Sequence, residues 1–381
     1  MSTNPSVFKS FLPLLAFCLL PPVLMASPKY SLDAHYLGLY ESNIFHAYLD
    51  TQAVGAQLNE LTANATALFS QSDRLSHSFR AYTNIDLYLD HSNRNRTSFG
   101  IAYIPTLRYA RRATFHLDAD LSRRNRDLIS DAGEYLNRNL AKTLVSVKGT
   151  NRFSVGRFRL EQSVEYADHN YDDSFDSAGV RLASYDYRYL QPAGSIRYRV
   201  SRSFSVDGDV SYEKRNYSER KTYPVEKGPV KGYGVIREFE EWNSGLTFRS
   251  ELSRTIELDL IVAYTDRTDN FENFYGYIQW KYGFRSLINF SRRDELKISF
   301  DFRTKDYPNY WTKITGRNGR VSIDYATLEV ENRYLLGTHL DLTAYLRNFN
   351  KVSNERYVEG VTTPSYDYAD FSIGLGLAYE L

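Results

Sequence analysis

Apolar side chains recur at every second position from about residue 30 to the end of the chain. In the last segment Phe371, Ile373, Leu375, Leu377, Tyr379 and Leu381 hold the odd positions, while Ser372, Gly374, Gly376, Ala378 and Glu380 fill the even ones. A period of two places one set on each face of an extended strand. The same template fits Phe79, Ala81, Ile85 and Leu87, then Phe99, Ile101 and Tyr103, then Phe204, Val206 and Val210, then Ile256, Leu258, Leu260 and Val262. Cutting at clusters of turn-forming residues predicts sixteen strands, over 30–41, 58–71, 75–91, 97–110, 113–125, 137–149, 153–168, 182–200, 203–216, 234–250, 254–267, 271–291, 295–305, 320–334, 338–350 and 365–381. Most exceed the roughly 5 to 6 residues usual in soluble sheets and reach the roughly 9 to 11 needed to cross a bilayer at a tilt.

Connection lengths alternate too. Tight turns are expected at 71–74, 110–112, 150–152, 201–202, 251–254, 292–295 and 335–337, separated mostly by longer polar connections at 42–57, 126–136, 169–181, 217–233, 306–319 and 351–364. An even number of strands with short turns at one rim and long loops at the other is the pattern of an outer-membrane barrel. A soluble β-sandwich also alternates, but it requires neither long strands throughout nor alternating loop lengths. The reading is therefore all-β: a transmembrane antiparallel β-barrel of about sixteen strands over 28–381, with both termini periplasmic, in the bacterial outer membrane.

The N-terminal segment fits export. Lys9, an apolar stretch from Phe11 to Met25, and small residues at Ala26 and Ser27 read as a signal peptide over 1–27. The only cysteine, Cys18, lies inside it with Phe17 before it, an unsuitable context for lipidation. The remainder has no thiol, hence no disulfide and no cysteine nucleophile or metal ligand. It carries no net charge, and nothing in it points to nucleic acid.

The ending Phe371-x-Ile373-x-Leu375-x-Leu377-x-Tyr379-Glu380-Leu381 resembles the C-terminal signal of Gram-negative outer-membrane β-barrels, including Tyr at the third position from the end. The resemblance implies recognition by the barrel assembly machinery. The signal usually ends in Phe or Trp, and this chain departs from it with Leu381. Near the N-terminus, Tyr40-Glu41-Ser42-Asn43-Ile44-Phe45 resembles the Tyr-[Asp/Glu]-x-Asn-[Ile/Val]-Phe element of porin-like barrels, some linked to exopolysaccharide export.

A sixteen-stranded barrel is wide enough for an aqueous channel, so the inward positions should be polar. Glu257 and Asp259, Asp207 and Asp209, and Arg159, Glu161 and Glu165 fall there. Hairpin arithmetic sets Arg197 opposite Asp207, Arg285 opposite Asp301 and Arg333 opposite Asp341 as lumen charge pairs, each contributing on the order of 0.2 to 1 kcal/mol. The aromatic share is high, at 15% with 32 Tyr, and belongs in belts at the two lipid–water boundaries. Tyr166, Tyr212 and Tyr264 are expected near the loop-side strand ends, and Phe99, Tyr109, Phe204 and Phe248 nearer the turns. Tyr185, Tyr187 and Tyr189 form a row that reads as wall or as a sugar-binding stripe.

Two connections carry charge. Asp172, Asp173 and Asp176 could bind Ca²⁺ through hard oxygens, although a solvated acidic loop explains them as well. Residues 213–232 carry Lys214, Arg215, Arg220, Lys221, Lys227 and Lys231, which could meet lipopolysaccharide, interleaved with Glu213, Glu219 and Glu226. Connection 42–57, with Ile44, Phe45 and Tyr48, is apolar enough to fold inward as a plug or pack on a neighbour. Seven scattered histidines show no metal-site spacing and the chain has no Gly-x-Ser-x-Gly. His91 and His169 each have a neighbouring Asp, at Asp90 and Asp168, but rim polarity explains them. The expectation is a non-enzymatic pore without cofactors, passing small hydrophilic solutes or an exported polysaccharide; its partners are outer-membrane lipid, lipopolysaccharide, the assembly machinery and further copies of itself. The alternatives are a plugged structural barrel and a rim-sited hydrolase.

Overall fold

The computed structural model describes residues 27–43, 55–70, 72–89, 95–129, 135–139, 141–173, 181, 184–221, 234–270, 273, 275–314, 317–353 and 367–381. The expected leader up to Ala26 lies outside them, as do Ile44 to Val54, Asp90, His91, Asp176, Glu226, Lys227 and Lys231.

Seventeen strands follow in chain order: β1 (Lys29–Glu41), β2 (Ala56–Ser70), β3 (Leu75–Tyr88), β4 (Arg96–Ala110), β5 (Ala113–Ile129), β6 (Tyr135–Asn139), β7 (Lys142–Val155), β8 (Phe158–Tyr171), β9 (Tyr187–Arg199), β10 (Phe204–Lys221), β11 (Ile236–Glu251), β12 (Ile256–Asp269), β13 (Tyr277–Asn289), β14 (Asp294–Ile314), β15 (Arg317–Leu335), β16 (Leu340–Ser353) and β17 (Tyr368–Glu380). Each wall strand runs antiparallel to the next, and β1 pairs with β17 to close the ring. The short β6 pairs only with the end of β5, which itself neighbours β7 in the wall. Sixteen strands therefore make the barrel, one for each expected from the sequence. Closure removes every open sheet edge, which a strand in lipid requires because hydrocarbon offers its backbone no hydrogen bonds.

Serine side chains build several of the tight turns. Ser72 Oγ accepts from Arg74 N at 3.2 Å, Ser201 Oγ from Ser203 N at 3.2 Å, Ser253 Oγ from Thr255 N at 3.1 Å and Ser291 Oγ from Arg293 N at 3.1 Å. Each hydroxyl thus satisfies a backbone donor that the bend takes out of the ladder. The hairpin expected at 150–152 instead turns at Gly156 and Arg157, and Arg152 pairs with Glu161 inside the sheet. Gly156 has φ 58°, the left-handed conformation that a two-residue hairpin needs and glycine adopts without steric cost.

Two long connections give way largely or partly to strand, and one ring sits elsewhere than expected. The supposed loop 306–319 is mostly sheet, because a register shift between Tyr307 and Trp311 absorbs Pro308 and lets β14 and β15 continue. β10 likewise runs to Lys221, so Lys214, Arg215 and Arg220 belong to a strand rather than a loop. Phe99 is three residues into β4, at the loop side, not near the turns.

The outward face is mostly apolar, with ion pairs such as Lys214–Glu240 only toward the loop-side strand ends. Ile101 is 62% exposed and Leu375 63%, values tolerable only where the solvent is lipid. Outward rings pair at both rims: Tyr212 packs on Trp242 at 4.8 Å and Tyr264 on Trp280 at 4.9 Å toward the loop side, and Phe158 on Tyr198 at 4.8 Å toward the turns. One inward patch departs from the polar expectation: Leu37, Leu39, Ala56 and Leu58 are buried together on the inner wall of β1 and β2, with Tyr88 and Tyr345 beside them.

The closing seam is tight. A Cβ at Gly374 would stand 2.2 Å from the carbonyl oxygen of Gly38, and one at Gly376 2.4 Å from that of Tyr36. Leu32 and Leu381 exchange backbone hydrogen bonds at 2.9 and 3.2 Å. At the other end of the seam Asn43, 2% exposed, donates from its backbone N to Asp370 at 3.1 Å and from Nδ2 to the Ala369 carbonyl at 3.2 Å. The Tyr-Glu-Ser-Asn part of the N-terminal element thus ties the first strand to the last.

Candidate functional site: the barrel lumen

Period-2 alternation carries charge inward wherever an apolar residue points out. Across β9 to β12 the inner wall holds a ladder of alternating sign. Arg197 donates through Nε and Nη2 to Asp207 at 2.7 and 2.6 Å; Arg249 lies 3.9 Å from Asp207 and donates to Asp259 at 2.9 and 3.1 Å. Arg197 and Asp207 are direct register partners, as the hairpin arithmetic expects. Arg152 pairs with Glu161 at 2.6 Å and Lys297 with Glu331 at 3.2 Å further round the ring. All these groups are partly exposed, so each pair contributes little to stability, and together they make a wet surface.

Two expected pairs are displaced. Arg285 faces Ser299 on one side and Asp259 on the other, whereas Asp301 faces Gly283 and takes Lys281 at 3.0 Å and Arg303 at 3.6 Å. Arg333 faces Thr343 and Asp341 faces Leu335, yet the Arg333 side chain reaches diagonally to Asp341 and also to Glu380 at 3.0 Å. In both hairpins the turn is centred one position away from the expected place, which shifts register by two residues and keeps every side chain on its expected face.

Among the described residues, the acids after β8 are taken up by arginines. Asp172 takes a bidentate Arg123, and Asp173 takes Arg181 at 2.7 Å, which also holds Glu219 at 2.9 Å. No cluster of three metal-capable side chains occurs among the described residues. Hydrogen bonding from Arg123 lowers the pKa of the Asp172 carboxyl below its usual range. His169 faces inward in register with Tyr187, but Asp168 points outward and pairs with Arg188 at 3.0 Å. Adjacent residues on a strand face opposite sides, so sequence proximity of His and Asp is no pairing here.

Toward the loop side, the inner wall becomes aromatic and cationic. His169 stacks on Tyr187 at 4.2 Å, Tyr187 meets Tyr217 at 5.4 Å, Tyr217 meets Phe239 at 5.9 Å, and Tyr277 meets Tyr307 at 5.7 Å. Guanidinium and ammonium groups sit between them: Arg215 over Tyr187 at 4.7 Å, Arg267 over Phe239 at 3.7 Å and Lys305 over Tyr277 at 3.7 Å. This arc spans β8 to β14, and the sequence shows only its Tyr185, Tyr187 and Tyr189 edge as a row. The rest comes from distant strands, with no local signal beyond inward phase.

Around the ring, β1 and β10 are eight strands apart in either direction. Across the lumen from the arc lies a recess of about 280 Å³ lined by Glu41, Glu60, Glu331, Tyr345 and Arg347. Glu41 there accepts from the Tyr88 hydroxyl at 2.8 Å. The recess thus gathers three carboxylates around Arg347, whereas on the arc the carboxylates are matched by bases, as Glu213 is by Arg215 at 2.6 Å.

Neither a family model nor a curated protein sequence matches this chain. Solved structures do. OmpT of Vibrio cholerae, an outer-membrane protein in trimer form, aligns at TM-score 0.53 and 8% identity over 93% of this chain and 100% of that one. An anion-selective porin from Comamonas acidovorans aligns at 0.47 and 10% identity over 93% and 99%. A bacterial polysaccharide outer membrane secretin aligns at 0.46 and 9% over 92% and 98%. At these identities the likeness is one of fold. Together with the lipid-facing belt and the closed wall, the likeness to OmpT gives the chain a porin-like barrel fold in the bacterial outer membrane.

Proposed function

We propose that this barrel is a passive pore for hydrophilic solutes, either small molecules or an exported polysaccharide chain. The observation that carries the reading is the inner wall: charged side chains continue around a sixteen-stranded ring, a width at which barrels generally enclose water rather than packed side chains. A lumen meant only to be filled would be expected to bury apolar groups throughout, and the apolar cluster among the described residues centres on β1 and β2. The acidic recess and the charge-matched wall facing it suit solutes with hydroxyl or mixed-charge groups, which they can orient without binding tightly. In this reading the periplasmic side is the short-turn rim, the outward residues from Phe371 to Leu381 serve the assembly machinery, and lipopolysaccharide and further copies of the chain meet the outer wall. Purified protein in planar bilayers should give stable conductance steps; their absence over a range of voltages would leave a plugged structural barrel as the better description.

A further inference from the structure

We infer that the aromatic–cation arc on β8–β14 is a binding site for an acidic oligosaccharide, its rings taking the apolar faces of the sugars and its arginines the carboxylates. The inference rests on the pore reading and adds a ligand class to it. Ring neighbours 5.4 to 5.9 Å apart from Tyr187 through Tyr217 to Phe239, with Tyr277 and Tyr307 further round, give a track of rings along the inner circumference. Flat rings with a polar edge suit pyranose units, which present C–H groups on one face and hydroxyls around the rim. The cations decide the charge. Arg237 is 7% exposed, and neither its Nε nor that of Arg267 has a hydrogen-bond acceptor. Each instead lies over a ring, Arg237 over Tyr275 at 4.0 Å and Arg267 over Phe239 at 3.7 Å. Neither has a carboxylate within ion-pair distance among the described residues, although Glu241 stands opposite Arg267 in register. Glu241 is engaged by Asn243 at 3.0 Å and Tyr277 at 3.2 Å. Arg237 hydrogen-bonds Tyr275 and Arg267 hydrogen-bonds Tyr277, which fixes each planar guanidinium while its Nε stays free to meet a carboxylate.

The opposite mouth has the same sign. Arg74, Arg112, Arg157, Arg202, Arg254 and Arg293 place at least one guanidinium in each of six of the seven tight turns, exposed and without an ion pair among the described residues. Exposed arginines at one mouth and ring-held arginines toward the other favour a negatively charged passenger.

The test uses the full barrel in planar bilayers, with a galacturonic acid trimer added on the loop side and a maltose-series trimer as the neutral probe. The uronate should block current in resolved events while the neutral sugar does so more weakly. Arg237→Gln and Arg267→Gln should each weaken uronate block about tenfold, the loss of one charge-assisted hydrogen bond, with folding checked by heat-modifiable gel mobility. Equal block by both sugars, or uronate block unchanged in both variants, would overturn the inference while leaving the pore intact. If no current flows at all, saturation-transfer NMR on the detergent-solubilised barrel replaces block. Sugar protons receiving saturation, with loss in Tyr277→Ala and in Arg267→Gln, would support the site and sink the pore. No transfer would overturn the site. Linear polyphosphate displacing the uronate with no ring dependence would also overturn it, since charge alone would then explain binding.

Discussion

At the scale of the residue, Arg333 shows how a charge is held in this wall. Its guanidinium serves both Asp341 and Glu380, and the Asp341 side chain is only 6% exposed. Arg333→Ala would leave that carboxylate buried without a base, at a cost of about 1 to 3 kcal/mol. A lower midpoint in the heat-modifiable mobility shift would show it, with Arg333→Lys falling in between; no change would mean water replaces the guanidinium freely. Asp172 behaves differently with pH. Because Arg123 holds its carboxyl below the ordinary value, the pair contributes above the unfolded carboxyl range and is lost as pH falls through the lowered folded value. Limited proteolysis next to Asp172 should therefore stay flat from neutral into mild acid and rise only at lower pH, and in Asp172→Asn the pH dependence should disappear. Period-2 phase made the inward position of Asp207 and Asp341 legible in the sequence. Which base each acid meets was not, because long side chains reach diagonally and a turn's centre is poorly marked.

Elements follow from pattern more faithfully than contacts do. Sixteen alternating segments became sixteen wall strands because an apolar face in lipid and a polar face in water leave each segment one stable orientation. The failures are at the punctuation. Pro308 and Asn309 suggested a loop where a bulge sufficed, and Thr150 to Arg152 suggested a turn that Gly156 makes instead. Closure depends on a feature no single strand advertises: Gly374 and Gly376 lie against the backbone of β1. Gly374→Val should force that seam apart and reduce the fraction migrating as the compact unheated form, while Gly337→Val, whose Cβ would meet nothing within 4 Å, should not. Equal behaviour of the two would show that β1 and β17 tolerate a wider seam.

For the whole molecule, the decisive quantity is how charge is distributed rather than its total. The net charge is only +1, yet three carboxylates share the recess beside β1 and β2, while on the facing wall Asp207, Asp259 and Asp301 are each matched by a base. Asp207→Asn would release Arg197 and Arg249 from their shared carboxylate and should move the reversal potential in a salt gradient toward anion selectivity. An unchanged potential would place Asp207 away from the ion path. By itself, the sequence determined the strand count, the faces, the short-turn and long-loop rims, and the membrane as solvent, because each of these is written in local periodicity and composition. Tertiary structure alone decided which side chains share the lumen. Tyr187, Phe239, Arg267 and Tyr277 are far apart in the chain and meet only because ring closure and hairpin register bring neighbouring strands to the same height, and neither quantity has a local signature.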